Sequence, residues 1–472
     1  MNPFPKLAGW ALVLNTIYVV WLLFTKTNPF FVFLEWGVFI LTLLFIINNS
    51  KRTYILSGGP HSLRPIVDIF LTIKNENISQ FEKTVKAANS IYYPNKRIYI
   101  LDDGGRKEVE EIAKKYNCTY FSRFNKEILT YKAANMNYGL RNSYGSFILT
   151  LDADMIVDPT ILDELLGFFK DEKVGFVSTR QGFNIDEKDF NHENLFYEYM
   201  QTGKNYQGVG ISCGSGVIYR RSALEAVGGF QEWNIVEDLY TSYVINSKGY
   251  KSVYISQSFS YGDAPTDIAA IYKQRGIWAQ DTLRLLIYKN PLFQRGLSFL
   301  QRLQYFEIGY SYIVSGLLFP LIYVMNIYSL VANDPIITLG KEWYILLRAP
   351  SFYMSLLMFG TLSKGVDSMR MWASLFPVYL VAFFKALLYK KPVYKVTPKG
   401  LTPKRNLVLV IPQMAFIISG IFAVFYHLFK FGITWILIIN TYWVCVMVYF
   451  ISAIIPKAFA FNTHNGKKNT HH

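Results

Sequence analysis

The chain has 472 residues, 51% of them hydrophobic and 17% aromatic, with a positive mean hydropathy of +0.19. That is too apolar for an ordinary soluble protein and too charged through its middle for a bundle of membrane helices alone. The net charge of +15 raises nucleic acid as a partner, but much of it sits beside apolar helices and reads as membrane topology, so no nucleic acid is expected. Three widely spaced cysteines, Cys118, Cys213 and Cys445, exclude a disulfide framework and a zinc pattern. Four scattered histidines, His61, His192, His427 and His464, lack metal-ligand spacing, and no run resembles a cleavable signal peptide.

In chain order, residues 7–24 and 30–47 are apolar runs of about the length that crosses a bilayer, joined into a hairpin by residues 25–29. Lys51, Arg52 and Arg64 follow with no acidic residue in 51–64, which predicts a cytoplasmic location for that side. From about residue 65 to 286 the pattern alternates between strand and helix, the mark of an α/β layer structure. Strands are predicted at 66–73, 97–101 and 147–151, and helices at 78–90, 107–115, 132–140 and 159–169. Residues 308–331 and 343–362 predict a third and a fourth span, and the loop between them, with Asp334, Lys341 and Glu342, has no basic excess and should face outward. Residues 364–405 are strongly basic, with Asp367 as the acidic exception, so this segment should be cytoplasmic. The apolar stretch 371–388 inside it reads as an interfacial helix, because a crossing there would strand the basic cluster outside. Residues 407–429 and 433–455 complete six predicted spans, with both termini inside. The expected division is a membrane hairpin at 1–50, a cytosolic domain at 51–290, and interfacial helices, four spans and a loop near 392–401 within 291–472.

The chemistry centres on Phe147-Ile148-Leu149-Thr150-Leu151-Asp152-Ala153-Asp154, an apolar run that ends in two carboxylates one residue apart. On a strand, positions i and i+2 leave the same face, so Asp152 and Asp154 point the same way. Such hard oxygen ligands suit Mg²⁺ or Mn²⁺. An isolated Asp-x-Asp is more often an acidic turn. A second acidic cluster, Asp102-Asp103, ends another strand, and ligands bind beyond the carboxyl ends of strands in open sheets. Lys132, Asn135 and Asn137 open a helix with a cation and two amides suited to a nucleotide diphosphate, although a surface lysine is the plain alternative. The Ser212–Gly216 stretch is a small-residue loop that a ligand can approach closely, and Cys213 within it reads as a packing residue rather than a nucleophile. Glu237-Asp238 precedes an apolar helix, where acidic residues commonly serve as a cap. Gln274 and Trp278 share one helical face, a pattern that taken alone is more often core than site.

Together and in this order, these motifs resemble the processive membrane glycosyltransferases of family 2, the group of cellulose, chitin and hyaluronan synthases, with bacterial cellulose synthase catalytic subunits the nearest likeness. The resemblance rests on Asn75-Glu76, Asp102-Asp103-Gly104, Lys132-Ala133-Ala134-Asn135, Leu151-Asp152-Ala153-Asp154, Cys213-Gly214-Ser215, Gly228-Gly229-Phe230, Glu237-Asp238 and Gln274-Arg275-x-x-Trp278. It implies a GT-A-like, Rossmann-like mixed sheet inserted in a helical membrane domain, a UDP-sugar donor, a divalent metal and inversion at the anomeric carbon. It further implies Asp102 and Asp103 at the uridine end, Lys132 near the nucleotide, and Asp152 with Asp154 on the metal. Asp238 would be the general base beside Glu237. Gln274 and Arg275 would lie toward the nucleotide sugar, and Cys213, Gly214 and Trp278 toward the acceptor. Tyr394-Lys395-Val396-Thr397-Pro398-Lys399 resembles the gating loop of cellulose synthases, which would bring Thr397 and Lys399 to the diphosphate.

Two positions depart from the family pattern. Its threonine before Glu-Asp is Val236 here, and the arginine before the motif's tryptophan is Ile277, which cannot contact a diphosphate; Lys273, Arg275 and Lys399 are the candidate substitutes. The short tail after residue 455 leaves no expectation of the cyclic-dinucleotide-sensing β-barrel of many bacterial cellulose synthases. The resulting expectation is a multi-pass plasma-membrane enzyme that polymerises a β-glucan from UDP-glucose and threads it through its own channel, with lipid and accessory secretion proteins as partners. A UDP-GlcNAc polymer synthase and a non-processive glycolipid transferase are the alternatives within catalysis. A degenerate scaffold or transporter is the alternative outside it.

Overall fold

The computed structural model describes residues 4–123, 132–186, 189–338, 341–392 and 404–459. Thr397 and Lys399, and with them most of the loop expected near 392–401, lie outside these residues.

Among the described residues, the central layer is one mixed sheet of eight strands: β1 (Val67–Ile73), β2 (Lys96–Asp102), β3 (Thr119–Ser122), β4 (Phe147–Asp152), β5 (Ile156–Val157), β6 (Val174–Phe183), β7 (Val217–Arg220) and β8 (Lys251–Gly262). Their spatial order is β3-β2-β1-β4-β7-β6-β8-β5. The first four run parallel, with Ile73 opposite Asp102 and Thr72 opposite Asp152, so both acidic strand ends emerge on one edge of the domain. β7 joins β4 and β6 antiparallel, whereas β6 and β8 are parallel.

All seven residues of β1 are buried, as expected of a central strand covered on both faces. One face packs on Phe81 and Val85 of the Ile78–Asn89 helix and on Val109 and Ile112 of the Lys107–Lys115 helix. The other packs on Ala133, Met136 and Leu140 of the Lys132–Arg141 helix. The helix expected over 159–169 is a short α-helix, Ile161–Leu165, that tightens into a 3₁₀ turn, Leu166–Lys170. Backbone of Gly58 and Gly59 crosses there: Gly167 N–H donates to Gly59 O (2.8 Å), and a Cβ at Gly167 would strike the carbonyls of both. An incoming strand of backbone has taken the space of another helical turn.

Among the described residues, six helices are long and apolar enough to cross a membrane: Phe4–Leu23, Pro29–Asn49, Phe299–Ala332, Glu342–Leu362, Leu407–Phe431 and Trp435–Ala458. The third begins well before the predicted residue 308, because a capping box at Ser298 and Gln301 starts the helix two turns earlier. Val366–Ser374 and Phe376–Leu387 form a pair bent by 49° that passes the same length and composition test only when joined. Through Tyr379, Ala382 and Ala386 this pair packs on Ile271, Ala279 and Leu283 of the Ile268–Tyr288 helix, and so ties the sheet domain to the membrane helices.

Candidate active site

A cavity of about 640 Å³ begins at the carboxyl ends of β1 and β4 and continues between the apolar helices. Asp103, Lys132, Asp152, Asp154, Cys213, Gly214, Glu237, Asp238, Gln274, Arg275 and Trp278 all line it, although they come from six separate stretches of chain.

Lys132 is the hub. It opens its helix under the sheet edge, and its Nζ lies 2.6 Å from Asp152 Oδ1 and 3.1 Å from Glu237 Oε1, and donates to Gly214 O at 3.2 Å. Burial favours its neutral form, but the charges of Asp152 and Glu237 outweigh that and hold its pKa well above the ordinary lysine value. One cation thus joins the Asp-x-Asp strand end, the small-residue loop and the Glu-Asp helix.

The loop is held from three sides. Cys213 N–H donates to Ser178 Oγ (3.2 Å), Gln181 Nε2 donates to Cys213 O (2.6 Å), and Asp152 N–H donates to Ser215 Oγ (3.1 Å). Gly214 sits at φ +78°, and a Cβ there would lie 2.9 Å from Asp238 Oδ2 and 3.5 Å from Lys132 Nζ. Glycine is required both by the left-handed backbone and by the closeness of the carboxylate. Burial pushes the Cys213 thiol up to about 12, which agrees with a packing role rather than a nucleophile.

Glu237 and Asp238 occupy the first turn of the Glu237–Ser247 helix. Asp238 Oδ1 accepts from Leu239 N–H at 2.7 Å, so the acidic-cap reading and the cavity-facing reading hold together. Burial first, and the Glu237 charge second, raise the Asp238 carboxyl to about 7. At that value the group exchanges a proton near neutral pH, as a general base must.

The two residues of Asp102-Asp103 do different work. Asp102 is fully buried and does not line the cavity: its oxygens accept from Gly104 N–H (2.7 Å), Arg106 N–H (2.9 Å) and Tyr120 OH (3.0 Å), which shapes the turn after β2. Asp102, expected at the uridine end, is thus placed behind the cavity wall and holds the turn that carries Asp103. Asp103 reaches the cavity and is gripped by both Arg123 Nε (2.9 Å) and Nη2 (2.8 Å). Asn137, expected to face a diphosphate, is turned away and bonds Phe230 through O and N–H, while Asn135 lines the cavity and donates to Leu101 O.

Arg275, expected toward the nucleotide sugar, lines the cavity with its charge already paired. It is buried in an ion pair with Glu193, and its guanidinium lies over Phe190 (5.3 Å) and Trp278 (4.9 Å). Its charge is spent on orienting the indole, so it cannot stand in for an arginine at Ile277. Ile277 itself lines the cavity as an apolar wall. Among the described residues, the cations on the wall near the acidic rim are Lys132 and Lys74, the latter not singled out from sequence. Its only signal was its place directly after β1.

Asp152 and Asp154 offer hard oxygens, and Glu76 stands beside them. Burial, and beyond it the charges of Asp152 and Asp154, push Glu76 above the usual carboxylate range. That crowding of like charge fits a divalent cation. Among the described residues no group of three or more His, Cys, Asp and Glu side chains could hold a metal ion.

Residues 68–228 match the family model described as Glycosyl transferase family 2. The chain is 28% identical over 360 residues to a UDP-forming cellulose synthase catalytic subunit of Komagataeibacter sucrofermentans, an alignment covering 71% of this chain and 47% of that protein. It is 32% identical over 256 residues to the corresponding subunit of Xanthomonas axonopodis pv. citri, covering 52% of this chain and 35% of that one. In fold it is similar to a mannosyltransferase from Pyrobaculum calidifontis solved with GDP-mannose and Mn²⁺, with a TM-score of 0.56 at 15% identity, covering 82% of this chain and 100% of that one. Residues 68–228 thus match a glycosyltransferase family 2 domain, and the chain is similar over half its length or more to cellulose synthase catalytic subunits. It spans about half the length, or less, of the cellulose synthase subunits compared here.

Proposed function

We propose that the protein is a processive, inverting membrane glycosyltransferase that builds a β-glucan from UDP-glucose and passes it across the membrane. One observation carries this reading. The cavity that holds the acidic rim continues to Glu307, Ser311, Arg348, Phe352 and Phe450 on the apolar helices, so a product leaving the rim has a lined path into the membrane domain.

In this reading the uridine end lies toward Asp103 and Arg123, while Asp102 acts indirectly through the turn it holds. The acceptor sugar rests on Trp278, whose flat indole gives apolar contact without dictating a hydroxyl pattern. Asp238 takes the proton of the acceptor hydroxyl, and that oxygen forms the new bond to the anomeric carbon from the face opposite the leaving group. The bond from that carbon to the diphosphate breaks and its electron pair leaves with UDP. Lys132 places positive charge beside the departing diphosphate. Mg²⁺ or Mn²⁺ held by Asp152 and Asp154 would neutralise that diphosphate further. The basic segment 364–405 favours a cytoplasmic sheet domain.

The test is to incubate purified protein in detergent with Mg²⁺ or Mn²⁺ and labelled UDP-sugars, then size and linkage-analyse the product. An extended glucan from UDP-glucose is expected. A single-sugar lipid product overturns processivity, and a polymer formed from UDP-GlcNAc alone overturns the donor assignment.

A further inference from the structure

The Ile268–Tyr288 helix carries the acceptor face at Gln274 and Trp278, and the base at Asp238 belongs to a different helix that starts at Glu237. Transfer requires these two elements to keep a set spacing, and apolar packing alone tolerates sliding. One turn beyond Trp278, Asp281 is fully buried and bridges the gap. Its Oδ2 accepts from Ile235 N–H at 2.6 Å and Val236 N–H at 2.9 Å, and its Oδ1 accepts from Arg284 Nη1 at 2.8 Å. Asn234 closes the network: its Oδ1 accepts from Arg284 at 3.2 Å and its Nδ2 donates to the Asp281 carbonyl at 3.3 Å. Arg284 is in turn seated over the Trp233 ring at 4.5 Å.

Val236 is the N-cap of the Glu237–Ser247 helix and has no side chain able to cap it. The entry to that helix is therefore set from outside, by a carboxylate on the acceptor helix. Burying a charged pair is costly compared with apolar packing of the same volume, and it is well suited to holding one geometry among several. We propose that Asp281 is a positioning residue that locks the base-bearing segment to the acceptor platform; the inference rests on the transfer reaction proposed above. Asp281 touches no donor group, since the rim residues Asp103, Lys132 and Asp152 lie on other elements.

The variant Asp281→Asn keeps the volume but replaces one acceptor oxygen with a donor that faces either backbone N–H groups or Arg284. Three quantities are read on the full chain in detergent: UDP affinity, the ratio of sugar transfer to donor hydrolysis, and amide exchange across residues 233–238. The expected result is UDP affinity within about twofold, a transfer-to-hydrolysis ratio lowered about tenfold or more, and faster exchange at Ile235 and Val236. Should Asp281→Asn fail to fold, Val236→Pro deletes one donated hydrogen at a φ of −78° that proline accepts, and the same fall in the ratio is expected. Transfer and hydrolysis falling in equal proportion, or an unchanged ratio with unchanged exchange, overturns the inference. If the wild-type chain transfers no sugar, the proposed function fails, and exchange at Ile235 and Val236 alone decides the role of Asp281.

Discussion

The two ends of the cavity treat charge in opposite ways. At the sheet end, Glu76, Asp103, Asp152, Asp154, Glu237 and Asp238 crowd together on the wall with Lys74 and Lys132. At the membrane helices the charges come in matched pairs: Arg348 Nε donates to Glu35 Oε1 at 3.0 Å, and Glu307 lies 3.9 Å from Lys204 Nζ of the sheet domain's Gln201–Tyr206 helix. Burial in low dielectric makes an uncompensated charge expensive, so a pair in the membrane region is held neutral overall. The excess negative charge gathers at the end where, in the proposed function, a divalent cation would offset it. In the proposed function, the contrast would separate a wall that serves the reaction from a wall that serves passage.

The sharpest way to break that contrast is Asp238→Asn. Loss of a positioned base is expected to lower transfer by about 10²- to 10⁴-fold, with UDP binding largely intact in a titration. Full activity in that variant would remove Asp238 from the base role. At the membrane end, Arg348→Ala leaves Glu35 buried without its partner and should destabilise the fold by about 3–5 kcal/mol, read from thermal unfolding in detergent. The paired change Glu35→Leu with Arg348→Met should recover most of this, and equal losses in both variants would show that the pair is not held for neutrality.

A finer test uses pH. As the proposed base, Asp238 would work as the carboxylate, and burial raises its pKa to about 7, so kcat/KM should fall about tenfold for each pH unit below that value. Glu237→Gln removes one of the charges that raise it, so the acid limb should move to lower pH; an unmoved limb would assign it to another group. The smallest effect expected is from Ile277→Arg. It adds a cation on the sheet-end wall and should tighten UDP about tenfold, the scale of one hydrogen bond to a charged group. Unchanged affinity and donor preference would place this position away from the phosphates.

Much of the α/β layer was legible because its signals are local. Helix Lys107–Lys115 starts and ends where the sequence predicts, and β4 carries Asp152 to the sheet edge as the apolar run implied. The convergence of Lys132, Gly214 and Glu237-Asp238 was legible only as an ordered set of motifs, since nothing in each stretch states its distance to the others. What stayed hidden depends on contacts far apart in sequence. Arg275 reads as a free cation until Glu193 is placed against it, and Asp102 reads as a ligand until its own turn claims both oxygens. Asp281 is an unremarkable acid three residues before Arg284, and its meaning lies in amide groups more than forty positions upstream. The broken helix at Ile161–Leu165 likewise comes from a backbone crossing at Gly58 and Gly59 that no periodicity encodes.

The Ile268–Tyr288 helix has one more pair of attachments. Near its start Asp267 Oδ2 accepts from Lys404 N–H at 3.0 Å, and in its second half Gln280 Nε2 donates to Lys390 O at 2.7 Å. The stiff rod that bears the indole is thus fastened at two points to the chain that leads toward the fifth apolar helix. A tilt of that rod by a few degrees would reach Trp278, the Glu237–Ser247 helix through Asp281, and the segment entering the fifth apolar helix together.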